Sequence, residues 1–394
     1  MTNKQRMLAV IAGEQVDKIP YAPRLDLWYL ANKRAGTLPA KYRHASLAEI
    51  VDDLDMGYHA VVPNFQDLRS GEDDIGRPLG IWNLWFMPYR TIFEGVRCTT
   101  RVQGDRTFVQ YETPAGPIGT VTLYNETMRK AGITITHVEE HAFKGPQDYA
   151  ALGYLFENMR IESNYDGYLE FARQVGDRGL AVGYVSLAGS PMHLIQREIM
   201  PLETFFYEMH DHPDELAELQ TKVELYWQRI FEVVCNCPAE ILLVGGNYDA
   251  SVTYPPFFKQ HIQPWLHGCA ERLHDKGKYL LTHTDGENTG LLELYLAAQI
   301  DIADSICPAP MTKLTFKQVR NAFAGEITIM GGIPSVSLLK SSMSATSFEQ
   351  FLDNFFTMIG KGDHLIVGIS DTTPPAADFD RILRIKERLY SFRG

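Results

Sequence analysis

Residues 279–287, Y-L-L-T-H-T-D-G-E, end an apolar run in His283, Thr284 and Asp285, and Gly286 then permits a turn. Side chains two apart in a strand share a face, so an imidazole and a carboxylate stand side by side. That pair suits a metal-ligand set or an acid/base couple. It sits just past a buried strand, where parallel α/β proteins keep their chemistry. A second reading stays open at this stage. His283 can be a satisfied polar residue closing the strand, and Asp285 an Asx-turn residue before Gly286.

Two such side chains need a scaffold, and the chain supplies a repeating one. A capped helix over 2–12 leads to a strand over 21–27, with Arg24 and Asp26 two apart near its end. Ser46 caps a helix to 54, Gly57 ends it, and a strand over 59–63 follows, with Asn64 and Asp67 beyond. The helical period returns over 146–176. Later strands are expected over 180–187, 240–244, 279–283, 302–306, 327–330 and 364–368, alternating with helices, the last from Phe379. Leu216, Leu219, Val223, Tyr226, Ile230 and Val233 form one apolar helical stripe. Eight strands, each followed by a helix or an insertion, predict an α/β fold of the (β/α)8 TIM-barrel type, one domain over 1–394. A doubly wound sheet accommodates six of the eight.

Residues 68–141 break the pattern. A loop over 71–89 holds Trp82, Trp85, Phe86 and Tyr89, and 96–135 alternates polar and apolar around turns such as T-P-A-G-P. This reads as inserted antiparallel β-hairpins, the aromatic loop serving as a lid or a buried plug.

Composition narrows the function classes. A formal net charge of −12 and the absence of a basic run argue against nucleic-acid or anionic-membrane partners. The N-terminus lacks the pattern of a signal peptide, and no apolar run approaches a membrane span. Five cysteines, an odd count at scattered spacing, suit a reducing cytoplasm, with Cys235 and Cys237 as structural residues.

In a barrel the C-terminal strand ends form one rim. The rim then collects Arg24, Asp26, Asn64, Asp67, Ser186, Asn247, Asp249, His283, Asp285, Ser305, Cys307, Gly331, Gly332, Ser370 and Asp371. His283, Asp285 and Asp371 offer one imidazole nitrogen and two carboxylates, a set that zinc accepts with a position left open. Asp371 can instead cap the turn before Thr372. Gly331-Gly332 has no basic residue beside it and reads as close backbone packing rather than a phosphate cradle.

The opening K-Q-R-M-L-A-V-I-A-G-E-Q-V-D-K-I-P and the later segments L-L-T-H-T-D-G, D-S-I-C-P-A-P-M, I-M-G-G-I-P and L-I-V-G-I-S-D-T-T-P-P-A-A-D-F-D-R-I occur in a telling order. Over nearly its whole length the chain resembles the uroporphyrinogen decarboxylase superfamily, which includes corrinoid-dependent methyltransferases. The resemblance implies a (β/α)8 barrel with its site at the C-terminal rim. Where porphyrinogen decarboxylases carry R-Q-A-G-R-Y, this chain has P-R-L-D-L-W-Y-L, which argues against that substrate. Where thiol-methylating members carry H-x-C and a later Cys, it has His283-Thr284-Asp285 and Ile369-Ser370-Asp371. Carboxylates in place of thiolates leave zinc a stronger Lewis acid, suited to polarising oxygen.

Such a site resembles the first methyltransferase of corrinoid O-demethylase systems, which takes methyl from methoxylated aromatics. The resemblance implies zinc on His283, Asp285 and Asp371. From the rim and the aromatic segments, Asp26, Asn247 and Asp249 are the candidates for catalysis, and Arg24, Trp28, Trp85 and Ser186 for the substrate. No D-x-H-x-x-G signature is present, so the corrinoid is expected on a partner protein. The alternative is a metal-free, decarboxylase-like lyase using Asp26, Asp67 and His283 as acid and base. A barrel that binds without turnover fits poorly with so polar a rim.

Overall fold

The computed structural model describes residues 1–62 and 73–392, so Asn64 and Asp67 lie outside the described residues. Antiparallel strands come first. They are β1 (Tyr89–Phe93), β2 (Arg97–Gln103), β3 (Arg106–Thr113), β4 (Gly116–Leu123), β5 (His137–Glu140) and β6 (Met159–Ser163). β2 to β5 form a four-stranded meander, the hairpin insertion that the alternation at 96–135 predicts. β1 pairs instead with β6, outside 68–141, in a stretch whose sequence suggests continuous helix. Helix Tyr149–Glu157 stops at Asn158, and backbone pairing to β1 overrides local propensity before helix Tyr165–Val175 begins.

Six parallel strands follow: β7 (Gly183–Ser186), β8 (Ile241–Gly246), β9 (Tyr279–His283), β10 (Ile302–Ile306), β11 (Thr328–Pro334) and β12 (Leu365–Ser370). They form one sheet in the order β12-β11-β10-β9-β8-β7. Nearly every residue in them is buried, as expected of parallel strands covered on both faces. The two remaining expected strands are reduced to single parallel bridges, Tyr21 with Val367 and Tyr58 with Gly179. Pro20 and Pro23 cannot donate to a ladder, so the first segment pairs only around Tyr21. There Ala22 N–H donates to Val367 O at 2.8 Å, Gly57 N–H to Tyr21 O at 2.7 Å, and Val182 N–H to Ala60 O at 3.3 Å. Asp26, expected on that strand, opens helix Asp26–Ala35.

Local signals define the helices well. Thr2 with Gln5, Ser46 with Glu49 and Thr315 with Gln318 each make a reciprocal capping box. The stripe on helix Pro213–Val234 is buried except for Val233, which is half-buried. Within the aromatic loop Trp82, Phe86 and Tyr89 join the core, and the Tyr89 hydroxyl donates to Val185 O at 2.8 Å, pinning the insertion onto β7. This is the behaviour of a plug. No helix among the described residues is long and apolar enough to cross a membrane.

Candidate metal centre at the strand ends

Neighbouring residues in a parallel ladder point to the same face about 4.8 Å apart, so register decides which side chains meet. β9 and β10 pair His283 with Asp304. The His283 Nδ1 lies 2.6 Å from Asp304 Oδ2, and both side chains are almost fully buried. The other Asp304 oxygen stands 3.2 Å from His59 Nε2. Burial alone would raise the Asp304 carboxyl, but hydrogen bonds from the two imidazoles hold it well below the ordinary carboxylate range. A carboxylate on Nδ1 fixes the ring and turns Nε2 toward Asp285 and Asp371.

Nε2 of His283 is 3.3 Å from Asp371 Oδ1 and 3.8 Å from Asp285 Oδ2. One donor atom from each of the three residues lies within 4.8 Å of the others, making a possible metal-binding triad. A tetrahedral ion bonded at 2.0–2.2 Å would hold its donors roughly 3.3–3.6 Å apart, so the imidazole's two distances bracket the requirement. Burial works against charge on His283, yet Asp285, Asp304 and Asp371 together push its proton affinity well above the usual imidazole value. Asp285 moves upward because it is buried, with His283 opposing the shift, and its Oδ1 is buried without a hydrogen-bond partner. An orphaned carboxylate oxygen beside a further acid and an imidazole is a place for a cation.

Arg24 organises the other side. Its Nη1 donates to Asp371 Oδ1 at 2.9 Å, and its Nε lies 3.3 Å from Asp26 Oδ1. The bridge of Tyr21 to Val367 brings these residues together across the whole length of the chain. Ser305 Oγ donates to the same Asp371 oxygen at 3.0 Å. Asp371 thus serves the site and does not cap the following turn. Burial would raise its carboxyl too, and Arg24 and His283 reverse that and lower it strongly.

Asn247, at φ 54°, donates through Nδ2 to Asp285 Oδ2 at 3.2 Å and joins the centre. Asp249 does not. Its carboxylate caps its own loop, accepting from Ser251 N–H at 2.8 Å and Glu287 N–H at 3.3 Å. Ser186 is buried and accepts from Ala188 N–H at 3.0 Å. Trp28 is buried and stacks on Phe379 with centroids 5.2 Å apart. Trp85 and Asp26 both line a cavity of about 290 Å³. Cys307 is a buried thiol whose proton is held by burial and by the neighbouring acids. Gly331 and Gly332 take φ 125° and 93°, and a Cβ on either would strike Ser370 Oγ at 2.6 Å or the Phe316 ring at 2.7 Å. Close packing, not phosphate binding, explains them.

Sequence reasoning passed over Asp304 and His59. The signal was present for the first: an aspartate inside I-A-D-S-I must be paired if the strand is buried. Nothing local marks His59.

The fold is similar to that of a methyltransferase from Methanosarcina mazei, with a TM-score of 0.56 over 99% of this chain and 100% of the other at 12% sequence identity. No family model matches the sequence, and no curated protein matches it.

Proposed function

We propose that this chain is a (β/α)8-barrel methyltransferase that moves a methyl group from a methoxylated aromatic molecule to Co(I) of a separate corrinoid protein. The observation that carries the reading is the His283, Asp285 and Asp371 triad, with Asp304 bound behind the imidazole. The two parallel bridges at Tyr21 and Tyr58 support barrel closure, and the fold likeness to a solved methyltransferase agrees with methyl transfer. A cytoplasmic location belongs to the same proposal and accords with five unpaired cysteines.

A zinc ion on this hard ligand set would supply Lewis acidity toward an ether oxygen. The chain's own residues prepare the place. Asp304 holds the Nδ1 proton so that the Nε2 lone pair is presented. Arg24 and Ser305 fix Asp371, and Asn247 fixes one oxygen of Asp285. In the reaction the bond from methyl carbon to ether oxygen breaks and its electron pair stays on the phenolate. The new carbon–cobalt bond takes its pair from Co(I). Catalysis then rests on in-line positioning and on charge stabilisation at the leaving oxygen.

The test is metal content by mass spectrometry, followed by methyl transfer from methoxybenzenes to a reduced corrinoid protein, read by the absorbance of methylcobalamin. About one zinc per chain, lost in His283→Ala together with transfer, is the expected result. Full transfer by metal-free protein would sink the proposal.

A further inference from the structure

The geometry points to a binding site for a quaternary ammonium group in the aromatic cavity beside Asp26. The inference goes beyond the methyl-transfer reading and does not depend on it.

The cavity holds about 290 Å³, at the lower end of ligand pockets, roughly 300–1,000 Å³. A volume on the order of 150 Å³ suffices for benzene, so a trimethylammonium head has room. Four rings, those of Tyr58, Trp85, Phe86 and Phe171, line it. Phe86 meets Trp85 edge to face with centroids 5.6 Å apart and Phe171 at 4.9 Å, so three of the four make one continuous wall. Tyr58, Trp85 and Phe171 are only half-buried, which leaves ring surface for an occupant. Ring faces carry the negative part of the aromatic quadrupole, and clustered rings of this kind attract methylated ammonium ions. A fifth ring, Tyr29, already has the Lys33 ammonium 5.0 Å from its centroid.

Charge decides between a cation and a neutral ring as the occupant. Among the described residues the lining includes no Lys or Arg, and its one carboxylate is Asp26. Asp26 Oδ1 lies 3.3 Å from Arg24 Nε and 3.4 Å from the Thr372 hydroxyl, and Oδ2 accepts no hydrogen bond from the described residues. Arg24 is itself shared, because its Nη1 donates to Asp371 at 2.9 Å. One guanidinium between two carboxylates leaves the balance negative on the cavity side. His59 also lines the cavity, with Nε2 turned to Asp304 Oδ1 at 3.2 Å.

The same walls select the kind of cation. A primary ammonium brings three N–H donors, and apolar side chains such as Leu47, Val51 and Val182 leave them unsatisfied. A quaternary ammonium has no N–H to satisfy. Its methyl groups bury against rings and aliphatic side chains while its charge faces Asp26.

Calorimetric titration of the purified full chain with choline and with 3,3-dimethylbutan-1-ol, the same shape with carbon in place of nitrogen, tests this. Choline should bind about tenfold more tightly, the worth of a cation over desolvated rings. Equal affinities, tighter binding of the alcohol, or binding of neither probe overturns the inference. Trp85→Leu keeps an apolar wall but removes a ring face, and should bring the ratio of the two affinities toward one. Asp26→Asn keeps every ring, and should weaken choline severalfold while the alcohol is unaffected. A purely structural role for these residues would change both probes alike and leave the ratio as it was, which also overturns it. Ala60→Phe, which puts a ring into the cavity, should abolish binding of both probes, and wild-type affinity in that variant would place the ligand elsewhere and refute the site.

Discussion

Two histidine–aspartate pairs flank β9 and β10, one toward each end. At the C-terminal end of β9, His283 lies 2.6 Å from Asp304. Before the N-terminal end, His274 closes helix Gln263–His274 and lies 2.9 Å from Asp301, which precedes β10. The lower pair is 37% and 22% exposed, the upper 3% and 1%. Asp301 also accepts from Leu280 N–H at 2.7 Å, and its carboxyl is raised by burial against the pull of those two donors. Asp304 is buried more deeply and yet is lowered, because two imidazoles face it. The contacts are alike in chemistry, but only the upper imidazole also meets two further carboxylates. Pairing ties an element in place. Surplus buried charge around the pair makes a site.

The largest expected contrast is in stability. Asp304→Ala strands two imidazoles in the interior and should cost about 3–5 kcal/mol in urea unfolding, whereas Asp301→Ala should cost about 1 kcal/mol. Equal losses would remove the distinction between the two ends. Next, Asp304→Asn keeps the volume but weakens the hold on Nδ1. Zinc affinity by competition titration should fall about 10–100-fold, with no change in Asp301→Asn.

Acidity provides a third contrast. His283 is raised in the folded protein above an unfolded value of about 6.5. In chelator-treated protein its contribution to stability is therefore complete below about pH 6.5 and is lost as pH rises through the folded value. Zinc competes for the same nitrogen, so zinc affinity should rise over the interval in which metal-free stability declines. Asp304 and Asp371, both lowered, contribute stability above about pH 4 that disappears on further acidification. Metal-free stability that increases from pH 6.5 to 9 would contradict the assignment. The smallest effect concerns the rim itself. Asp249→Asn disturbs only a loop cap, and should change stability by about 1 kcal/mol with zinc content intact.

Much of the architecture was legible in advance because its signals are local. Capping residues at Thr2, Ser46 and Thr315, and β-strand runs such as I-A-D-S-I, located elements to within a few residues. The failures came where non-local pairing decides. Residues 159–163 have no strong preference of their own and became a strand because β1 was there to pair with them. Pro20 and Pro23 cut an expected strand to one bridge. In the site, the types and spacing of His283 and Asp285 announced themselves, while Asp304 was hidden by its apolar neighbours and His59 by having none that marked it.

By itself the sequence determined the class of the fold, the rhythm of helix and strand, and an inventory of acids and imidazoles near strand ends. Which of those acids act together was left to the tertiary structure. Asp371 stands 347 residues from Arg24, and only the bridge between the first and last strand segments lets their charges meet. Trp28, Ser186 and Asp249 were equally plausible by type, and packing or loop hydrogen bonds turned them elsewhere. Side-chain chemistry is inherited from the residue, but proton affinity and ligand geometry depend on distances of a few ångströms that only the packed chain sets.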